Sequence, residues 1–332
     1  MVNYPSGIKA LPNDWMIKKE MIEPMMLELL VAPLEWMSFM PAVEATAETI
    51  TATREIYNAD TDPMKRLPVL RTPTSKFSRV SISELEDVST SMAAYGLEFA
   101  FTERVRRFQQ NIDEIDRTLR RVTTWIGQYV NNMAMGTLLD ATNGVTRTDG
   151  DTAWHARTPI KWSEEDAVPV QDLIVIGGDL EDAALGQRAT DAYVNKVNFR
   201  ELQKHLINLN VPADTRKDLY GITKAGDKSI YIPAADITVH KMDSGITEGD
   251  ILVIDQNISP ITRYYAKNPA YGPLESVTLE SGQTIPNDYG LHTHKYWVDP
   301  THEDVTQIWL EMGFLTKQPD GGLYCPSGTY GI

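Results

Sequence analysis

One stretch of the chain carries an unbroken heptad pattern of apolar residues, and this pattern constrains the fold more than any other feature. Its nine positions alternate in steps of three and four: Val105, Phe108, Ile112, Ile115, Leu119, Val122, Ile126, Tyr129 and Met133. Such spacing predicts one helix about 40 Å long at ~1.5 Å per residue, whereas helices in globular proteins average about three turns. We place this helix at residues 102–140, with Thr102 as its N-cap. Its length predicts a rod against which shorter elements pack.

The segments before the long helix indicate an arm and a hairpin. Residues 1–45 include a Met-rich segment that predicts a helix from residue 15 to about 31, either as a core helix or as an arm packed on a neighbouring subunit. Residues 46–57 and 77–85 favour two strands. The proline-rich stretch 58–75 between them predicts an extended polar tip. A hairpin of this kind has little core of its own, so it needs a surface to lie on.

Shorter elements make up the rest of the predicted chain. Residues 92–101 predict a strand that leads into the long helix, and residues 171–181 favour a helix, although the run 173–176 alone is also typical of a strand. The remaining predictions are a helix at 199–209, strands at 192–194, 229–232, 238–241, 251–255, 259–265, 277–279, 295–298 and 305–315, and a final tail without pattern. This order of strands and helices predicts the α+β class.

Composition and charge narrow the classes of function. The chain has 332 residues, of which 46 are acidic and 31 basic, and its net charge is -15. A nucleic-acid reader usually presents a basic face, so this balance argues against tight phosphate binding but not against enclosing nucleic acid. No run approaches about 18 uncharged apolar residues, and the N-terminus lacks a secretory pattern, so we expect neither a membrane span nor an export signal. The single cysteine, Cys325, excludes an internal disulfide.

Candidate chemical groups are few. His292, His294 and His302 form the one histidine cluster, and a His-x-His pair on a strand places both rings on one face, where they could share a metal. This cluster supports one alternative function, a metal-dependent hydrolase. The run Gly177-Gly178-Asp179 follows apolar residues but lacks the lysine and the glycine spacing of phosphate loops. Cys325 has no adjacent histidine. We therefore predict no catalytic, cofactor-binding or metal site.

The order of the elements and several local segments resemble one known family. The segments are 95–103 entering the long helix, 189–195 leading into 199–202, and the strands at 231–233 and 249–255. Together with the arm, the hairpin and the long helix, they resemble the major capsid proteins of tailed bacterial and archaeal viruses. That family has the Hong Kong 97-type fold, which encapsulin shells also use. The resemblance covers most of residues 15–315 as an arrangement of elements.

The resemblance implies a domain organisation and an assembly. The implied parts are an N-arm at 1–45, an E-loop at 46–90, a peripheral domain at 91–189 with a spine helix at 102–140, an axial domain at 190–270, and return strands with a C-terminal tail at 271–332. Copies would form pentamers and hexamers of an icosahedral shell enclosing double-stranded DNA, with an encapsulin-like compartment as the alternative. The E-loop tip would lie over an adjacent subunit, where Lys65, Arg66 and Arg71 would make ion pairs.

The resemblance also implies partners and a location. The expected partners are further copies of the chain, a portal, decoration proteins and a scaffold, which would be a separate protein because no long scaffolding segment precedes the arm. The shell would be assembled in the host cytoplasm and would become the virion capsid. It would enclose DNA without sequence-specific binding and would not bind a membrane. The chain would be a structural protein and not an enzyme, and it would need no cofactor.

Overall fold

The computed structural model describes most of the chain in thirteen stretches. They are residues 26–30, 34–55, 85–102, 112–140, 144–147, 162–163, 168–183, 188–208, 228–266, 276–278, 284–286, 290–298 and 303–326. Within them helices and strands are mixed, as expected for the α+β class. Among these described residues, no helix is both long and apolar enough to cross a membrane.

Three α-helices and fifteen strands have both ends among the described residues, and residues 26–30 are also helical. The helices are α1 (Ile112–Leu138), α2 (Pro169–Ala183) and α3 (Lys196–Asn208), with 3-10 turns at Glu35–Phe39 and Pro319–Gly321. The strands are β1 (Ala42–Glu44), β2 (Thr49–Glu55), β3 (Leu85–Ser91), β4 (Ala93–Thr102), β5 (Thr146–Arg147), β6 (Asp191–Asn195), β7 (Ser229–Ile232), β8 (Ile237–Met242), β9 (Ile251–Ile254), β10 (Ile261–Tyr265), β11 (Ser276–Thr278), β12 (Thr284–Pro286), β13 (Leu291–Val298), β14 (Glu303–Thr316) and β15 (Gly322–Cys325).

The first large sheet has five strands and is organised around β14. Its order is β1-β10-β14-β13, and β4 also pairs with β14. The β1–β10 pair is parallel, and the other pairs are antiparallel. The fourteen residues of β14 allow it to pair with β10 near its C-terminal end and with β13 and β4 before that. Helix α1 packs against β4 and β14.

The second large sheet has six strands in the order β5-β15-β9-β6-β8-β7. Strands β6 and β8 are parallel, and α3 lies between them in the chain and packs on both. Strand β9 reads Ile-Leu-Val-Ile, and all four residues are buried. A strand that is buried on both faces needs such a continuous apolar run, because its side chains alternate between the two faces.

The six-stranded sheet separates two hydrophobic clusters. Cluster one contains α1, the helical residues 26–30 and much of the five-stranded sheet, while cluster two contains α2 and α3. Strand β9 contributes Leu252 and Ile254 to cluster one, but Ile251 and Val253 to cluster two. The two faces of one sheet therefore form walls of two different cores.

The long helix is confirmed from residue 112 to 138, but the predicted stripe is wrong in its C-terminal half. Tyr129 and Met133 are exposed, whereas Val130 and Ala134 are buried with Leu138. The reason is geometric: a straight helix has 3.6 residues per turn, so a strict heptad stripe drifts around it by about 20° per heptad. The predicted cap Thr102 is the last residue of β4, and residues 103–111 lie outside the described residues.

The described part of the N-terminal arm packs on its own chain. Residues 26–30 are helical, and Met26, Leu27 and Leu30 are completely buried. The Met26 sulfur lies 3.2 Å from the Thr123 hydroxyl on α1. For these residues the arm is a core helix, while residues 1–25 lie outside the described residues.

The C-terminal segment differs from the predicted tail without pattern. Residues 322–325 form β15, which pairs antiparallel with β9 and parallel with β5 inside the six-stranded sheet. Leu323 and Cys325 are buried in cluster two, and Tyr324 is buried in cluster one. The glycines around this segment hid the strand, because its stability comes from pairing with distant strands and not from local propensity.

Most other predicted elements are confirmed with shifted ends, including the preference for a helix in α2. Of the strand predicted at 77–85, only Leu85 is described, and it begins β3. The base of the predicted hairpin is present as the antiparallel pair β2–β3, where Val88 packs with Tyr264 and Leu315. Its predicted tip at 58–75 lies outside the described residues. The domain boundaries stay a prediction: α2 packs with β6 in cluster two, while β10 belongs to the five-stranded sheet.

Candidate functional site

The arm, α1 and the six-stranded sheet meet at a group of aromatic side chains. Trp36 donates its indole N–H to Oδ1 of Asn131 on α1 over 2.7 Å. Its ring meets the ring of Tyr193 edge-on at 5.8 Å, and Phe39 lies 5.8 Å from the same ring. The aromatic contacts and the hydrogen bond fix three chain segments relative to one another.

Tyr193 continues this group towards a histidine on the neighbouring strand. The His240 imidazole stacks on the Tyr193 ring at 4.9 Å and donates from Nε2 to Oδ1 of Asp191 over 2.6 Å. Burial raises the pKa of Tyr193 far above its ordinary value, and the nearby Asp191 carboxylate raises it further. A hydrogen bond with Gln256 acts in the opposite direction and lowers this pKa. Tyr193 is therefore a neutral phenol at any physiological pH and acts as a packing residue.

A cleft lies beside this aromatic group, between α1 and the face of β7 and β8 that is turned away from cluster two. Its volume is about 630 Å³. The lining residues come from the arm, α1, the β7–β8 pair and the turn that follows β8: Leu29, Trp36, Arg120, Thr123, Thr124, Gln128, Asn131, Tyr193, Lys228, Ser229, His240, Lys241, Met242, Asp243, Ser244 and Gln256. The cleft thus lies where the arm and α1 meet the six-stranded sheet.

The exposed side of α1 carries an apolar ridge, formed by Trp125, Tyr129 and Met133. Their exposed fractions are 58%, 51% and 37%. The Tyr129 ring lies 5.0 Å from the ring of Tyr95 on β4, so the ridge continues onto the five-stranded sheet. Large apolar side chains that line up in this way on an exposed surface indicate contact with another molecule.

The described part of the predicted histidine cluster does not form a metal site. His292 is buried, and its Nε2 donates to the Ala266 carbonyl over 3.2 Å while its ring stacks on Trp309. His294 stacks on Tyr296, and His302 lies outside the described residues. Among the residues that the structure describes, no group of three or more His, Cys, Asp or Glu side chains could hold a metal ion.

Two of the remaining sequence candidates occupy structural positions, and the predicted ion-pair residues are not among the described residues. Gly177-Gly178-Asp179 lies inside α2, where Gly177 packs close to Ile237 of β8, so it is not a phosphate loop. Cys325 is buried in β15. Lys65, Arg66 and Arg71 lie outside the described residues. Sequence reasoning missed the cleft because its lining segments are far apart in the sequence and come together through strand pairing and through the packing of the arm and α1.

Comparison with known proteins places the chain in a family. The family model described as phage capsid protein matches residues 85–324, which is well over half of the chain. No curated protein matches this chain. The structure of a virus-like particle from Pyrococcus furiosus is 9% identical, with a TM-score of 0.53 over 92% of this chain and 98% of that one.

Two further structures have lower scores. The capsid of Myoviridae phage XM1 is 9% identical, with a TM-score of 0.49 over 88% of this chain and 90% of that one. The holo encapsulin complex from Synechococcus elongatus is 12% identical, with a TM-score of 0.49 over 90% of this chain and 88% of that one.

The family match identifies the chain as a shell-forming structural protein. The chain belongs to the phage capsid protein family, which confirms the predicted resemblance to major capsid proteins and the predicted α+β capsid fold. Members of this class assemble into capsid shells, and the place of such a protein is the virion capsid.

Proposed function

We propose that copies of this chain form pentamers and hexamers that close into an icosahedral shell around double-stranded DNA. Family membership supports the shell, and the fit to almost the whole length of a virus-like particle chain supports the fold. Rings of one chain need head-to-tail contacts between two different surfaces of each copy. Many such contacts, each weak, stabilise a closed particle together.

The observation that carries this proposal, beyond the family, is the apolar ridge on α1. A 58% exposed Trp125 next to a 51% exposed Tyr129 would be a solubility liability in a chain that stays monomeric. In an assembled shell, further copies or other shell components would cover such side chains. The ridge therefore supports a chain that functions in an assembly.

Residues 58–75 are the proposed contact with the adjacent subunit. We propose that Lys65, Arg66 and Arg71 form ion pairs with carboxylates of the next copy. These residues lie between β2 and β3 in the sequence, and the β2–β3 pair packs on the five-stranded sheet through Val88. Replacing all three cations with glutamate should abolish assembly, while exchanging arginine for lysine, and lysine for arginine, should retain most of it.

Negative-stain microscopy after size exclusion in moderate salt tests the shell. Closed particles, or rings of pentamer and hexamer size, would support the proposal. A strictly monodisperse monomer or dimer, even with crowding agents and a candidate scaffold, would contradict it. Nuclease-protected DNA inside particles purified from infected cells would separate a viral shell from an encapsulin-like compartment, which would enclose protein cargo instead.

The proposal extends to partners and to the absence of catalysis. We propose a scaffold, a portal and decoration proteins as partners, assembly in the host cytoplasm, and no enzymatic activity. The buried and hydrogen-bonded position of His292 supports a structural role for that residue. Metal analysis of the purified protein tests the hydrolase alternative, because a stoichiometric transition metal that depends on His294 would favour it over a purely structural chain.

A further inference from the structure

The apolar ridge is part of a longer exposed row along α1. Arg117 and Arg121 precede Trp125, Tyr129 and Met133 at the same four-residue spacing, and all of these side chains are exposed. Residues four apart on a helix are neighbours on one face. The row therefore has a cationic half near the start of α1 and an apolar half nearer its end.

Helix α2 has an exposed side with the complementary order of residues. Ile174 and Val175 are exposed large apolar residues, and Glu181 near the end of the helix is exposed as well. Between them lies Gly178, where a Cβ would meet nothing within 4 Å. Steps of three and four place these residues on one side of α2. This side has an apolar part, then a gap without a side chain, then an anion.

Gly178 has no packing role among the described residues of one copy. Glycine inside a helix costs about 0.5–1 kcal/mol relative to alanine. Its neighbour Gly177 is different, because a Cβ there would lie 3.1 Å from Cδ1 of Ile237 on β8. At Gly178 the space is open, and the missing side chain lets a bulky side chain of another helix sit close to the backbone.

The two exposed surfaces of one copy cannot meet each other. Helix α1 covers one face of the six-stranded sheet in cluster one, and α2 covers the other face in cluster two. The sheet therefore separates them, and the row on α1 can reach α2 only in another copy. A contact between two different surfaces of two copies is the head-to-tail kind that closes rings.

An antiparallel pairing of the two helices matches the surfaces in spacing and in charge. At ~1.5 Å per residue, Arg121 precedes Trp125 by about 6 Å on α1, and Glu181 follows Gly178 by about 4.5 Å on α2. When the Trp125 indole lies over Gly178, the Arg121 guanidinium comes opposite the Glu181 carboxylate. In the parallel direction Arg121 would instead face Ile174, so the charges favour the antiparallel pairing.

We propose that α1 of one copy packs antiparallel on α2 of the next copy in a ring of the shell, with Trp125 seated over Gly178. The rest of the apolar ridge then covers Ile174 and Val175. The contact accounts for the large apolar side chains exposed on both helices. This inference rests on the proposed shell, and it names two surfaces that join neighbouring copies.

Engineered cysteines in the assembled full-length protein test the contact directly. The proposed register places Tyr129 opposite Ile174, so Tyr129→Cys/Ile174→Cys should form disulfides between copies under mild oxidation. Non-reducing gel electrophoresis should show a ladder of linked chains, because each copy has one cysteine for each of its two neighbours. Each single variant should run as a monomer. Cys325 is buried, so wild-type particles provide the background.

Charge reversal tests the direction of the helices. Arg121→Glu should lower the yield of particles about tenfold at a fixed protein concentration, because repulsion replaces attraction at every copy of the contact. The double variant Arg121→Glu/Glu181→Arg should restore most of the yield. Lys204→Glu, at an exposed position of α3, is the matched control and should assemble as the wild type does.

Filling the gap on α2 tests the seat of Trp125. Gly178→Leu should leave the thermal stability of the unassembled chain unchanged or higher, because nothing lies within 4 Å of the added Cβ and leucine favours a helix. Its particle yield should nevertheless fall about tenfold, since the leucine occupies the space of the indole. If Gly178→Leu fails to fold, the cysteine pair still tests the contact.

The outcomes separate this contact from the shell itself. Shells that form without cross-links in the cysteine pair would overturn the contact and leave the proposed shell standing. Wild-type protein that forms neither rings nor particles would contradict both. Disulfides in Tyr129→Cys alone would show that two ridges meet, which would overturn the pairing with α2. A charge swap that assembles no better than Arg121→Glu, with Lys204→Glu unaffected, would overturn the antiparallel register.

Discussion

Cluster one and cluster two bury similar kinds of side chain but draw them from the sequence in different ways. Cluster two takes nearly all of its residues from one continuous region between 162 and 253, with two more from β15. Cluster one combines the arm, α1, β13, β14 and one face of the six-stranded sheet, so its members are spread from Met26 to Tyr324. Cluster one therefore depends on long-range contacts, and the entropy lost in closing the chain between them must be overcome before they stabilise the fold.

The shared sheet is what makes the two clusters depend on each other. Residues of β6 and β9 alternate between them, with Tyr193 in cluster one between Ala192 and Val194 in cluster two. A sheet whose two faces are both buried cannot lose one cover without exposing apolar surface. We therefore expect both clusters to unfold in one cooperative transition, although they draw their residues from the sequence in different ways.

The largest expected effect comes from truncating one buried leucine in each cluster. Leu30→Ala in the arm and Leu202→Ala in α3 should each lower the free energy of unfolding by about 2–5 kcal/mol, because both side chains are fully buried. Urea unfolding of the unassembled chain, followed by tryptophan fluorescence and by circular dichroism, measures this. Ile207→Ala, at an exposed position of α3, is the control and should change stability by at most about 0.5 kcal/mol.

The same experiment can contradict the expected single transition of the two clusters. If the two optical probes separate in Leu30→Ala but coincide in Leu202→Ala, cluster two folds without cluster one. The shared sheet would then be stable with one face uncovered, contrary to our expectation.

A smaller effect is expected where the turn after β8 touches α1. Gly245 has a φ of +92°, and a Cβ at this position would lie 2.7 Å from Cγ of Met135. Gly245→Ala should therefore destabilise the chain by about 1–3 kcal/mol, through backbone strain and through overpacking between the turn after β8 and α1. Thermal unfolding of the unassembled protein measures the loss.

Gly136 on α1 is the matched control for Gly245. A Cβ there would meet nothing within 4 Å. Gly136→Ala should stabilise the helix by about 0.5–1 kcal/mol, because alanine has the higher helix propensity. Equal losses in both variants would show that the effect is not specific to the junction.

The aromatic junction gives a still smaller effect. Trp36→Phe keeps most of the packing against Tyr193 but removes the N–H that donates to Asn131. The expected loss is about 1 kcal/mol, the net value of one partly buried hydrogen bond. In a double-mutant cycle with Asn131→Ala, a coupling energy near zero would remove the link that we assign between the arm and α1.

The smallest effect lies at the outer edge of the six-stranded sheet and should leave cluster one unchanged. The Tyr231 hydroxyl donates to the Asp236 carboxylate, and with the Arg188 guanidinium it lowers the pKa of Asp236. The folded pKa therefore lies below the unfolded one. The stabilisation that this carboxylate contributes is present above the unfolded pKa and is lost as pH falls through the folded pKa.

Titration by NMR of the aspartate carboxyl carbons measures this shift. Tyr231→Phe and Arg188→Gln should each raise the pKa of Asp236, because each variant removes one of the two groups that lower it. An unchanged pKa in Tyr231→Phe would contradict the hydrogen bond that we assign to this pair.

Much of the fold could be predicted because the decisive signals are local. The continuous apolar run of β9, the alternation in β4 and the apolar periodicity of α3 each lie within a few residues. Local propensity and periodicity act over that range, so the type of each element follows from neighbouring residues. The candidate site was less predictable: Asp191 and His240 are 49 positions apart and meet only because β6 and β8 pair in parallel.

The sequence by itself determined that a long helix follows strand β4, that short strands dominate the second half, and that the element order is that of a capsid protein. Only the tertiary structure decided which side of α1 is buried, because the arm helix and the sheet cover a stripe with the 3.6-residue period of a straight helix. It alone also made a strand of residues 322–325, since the partners of that strand lie far away in the sequence. Contacts between distant segments are set by packing and pairing free energies that no local pattern of residues encodes.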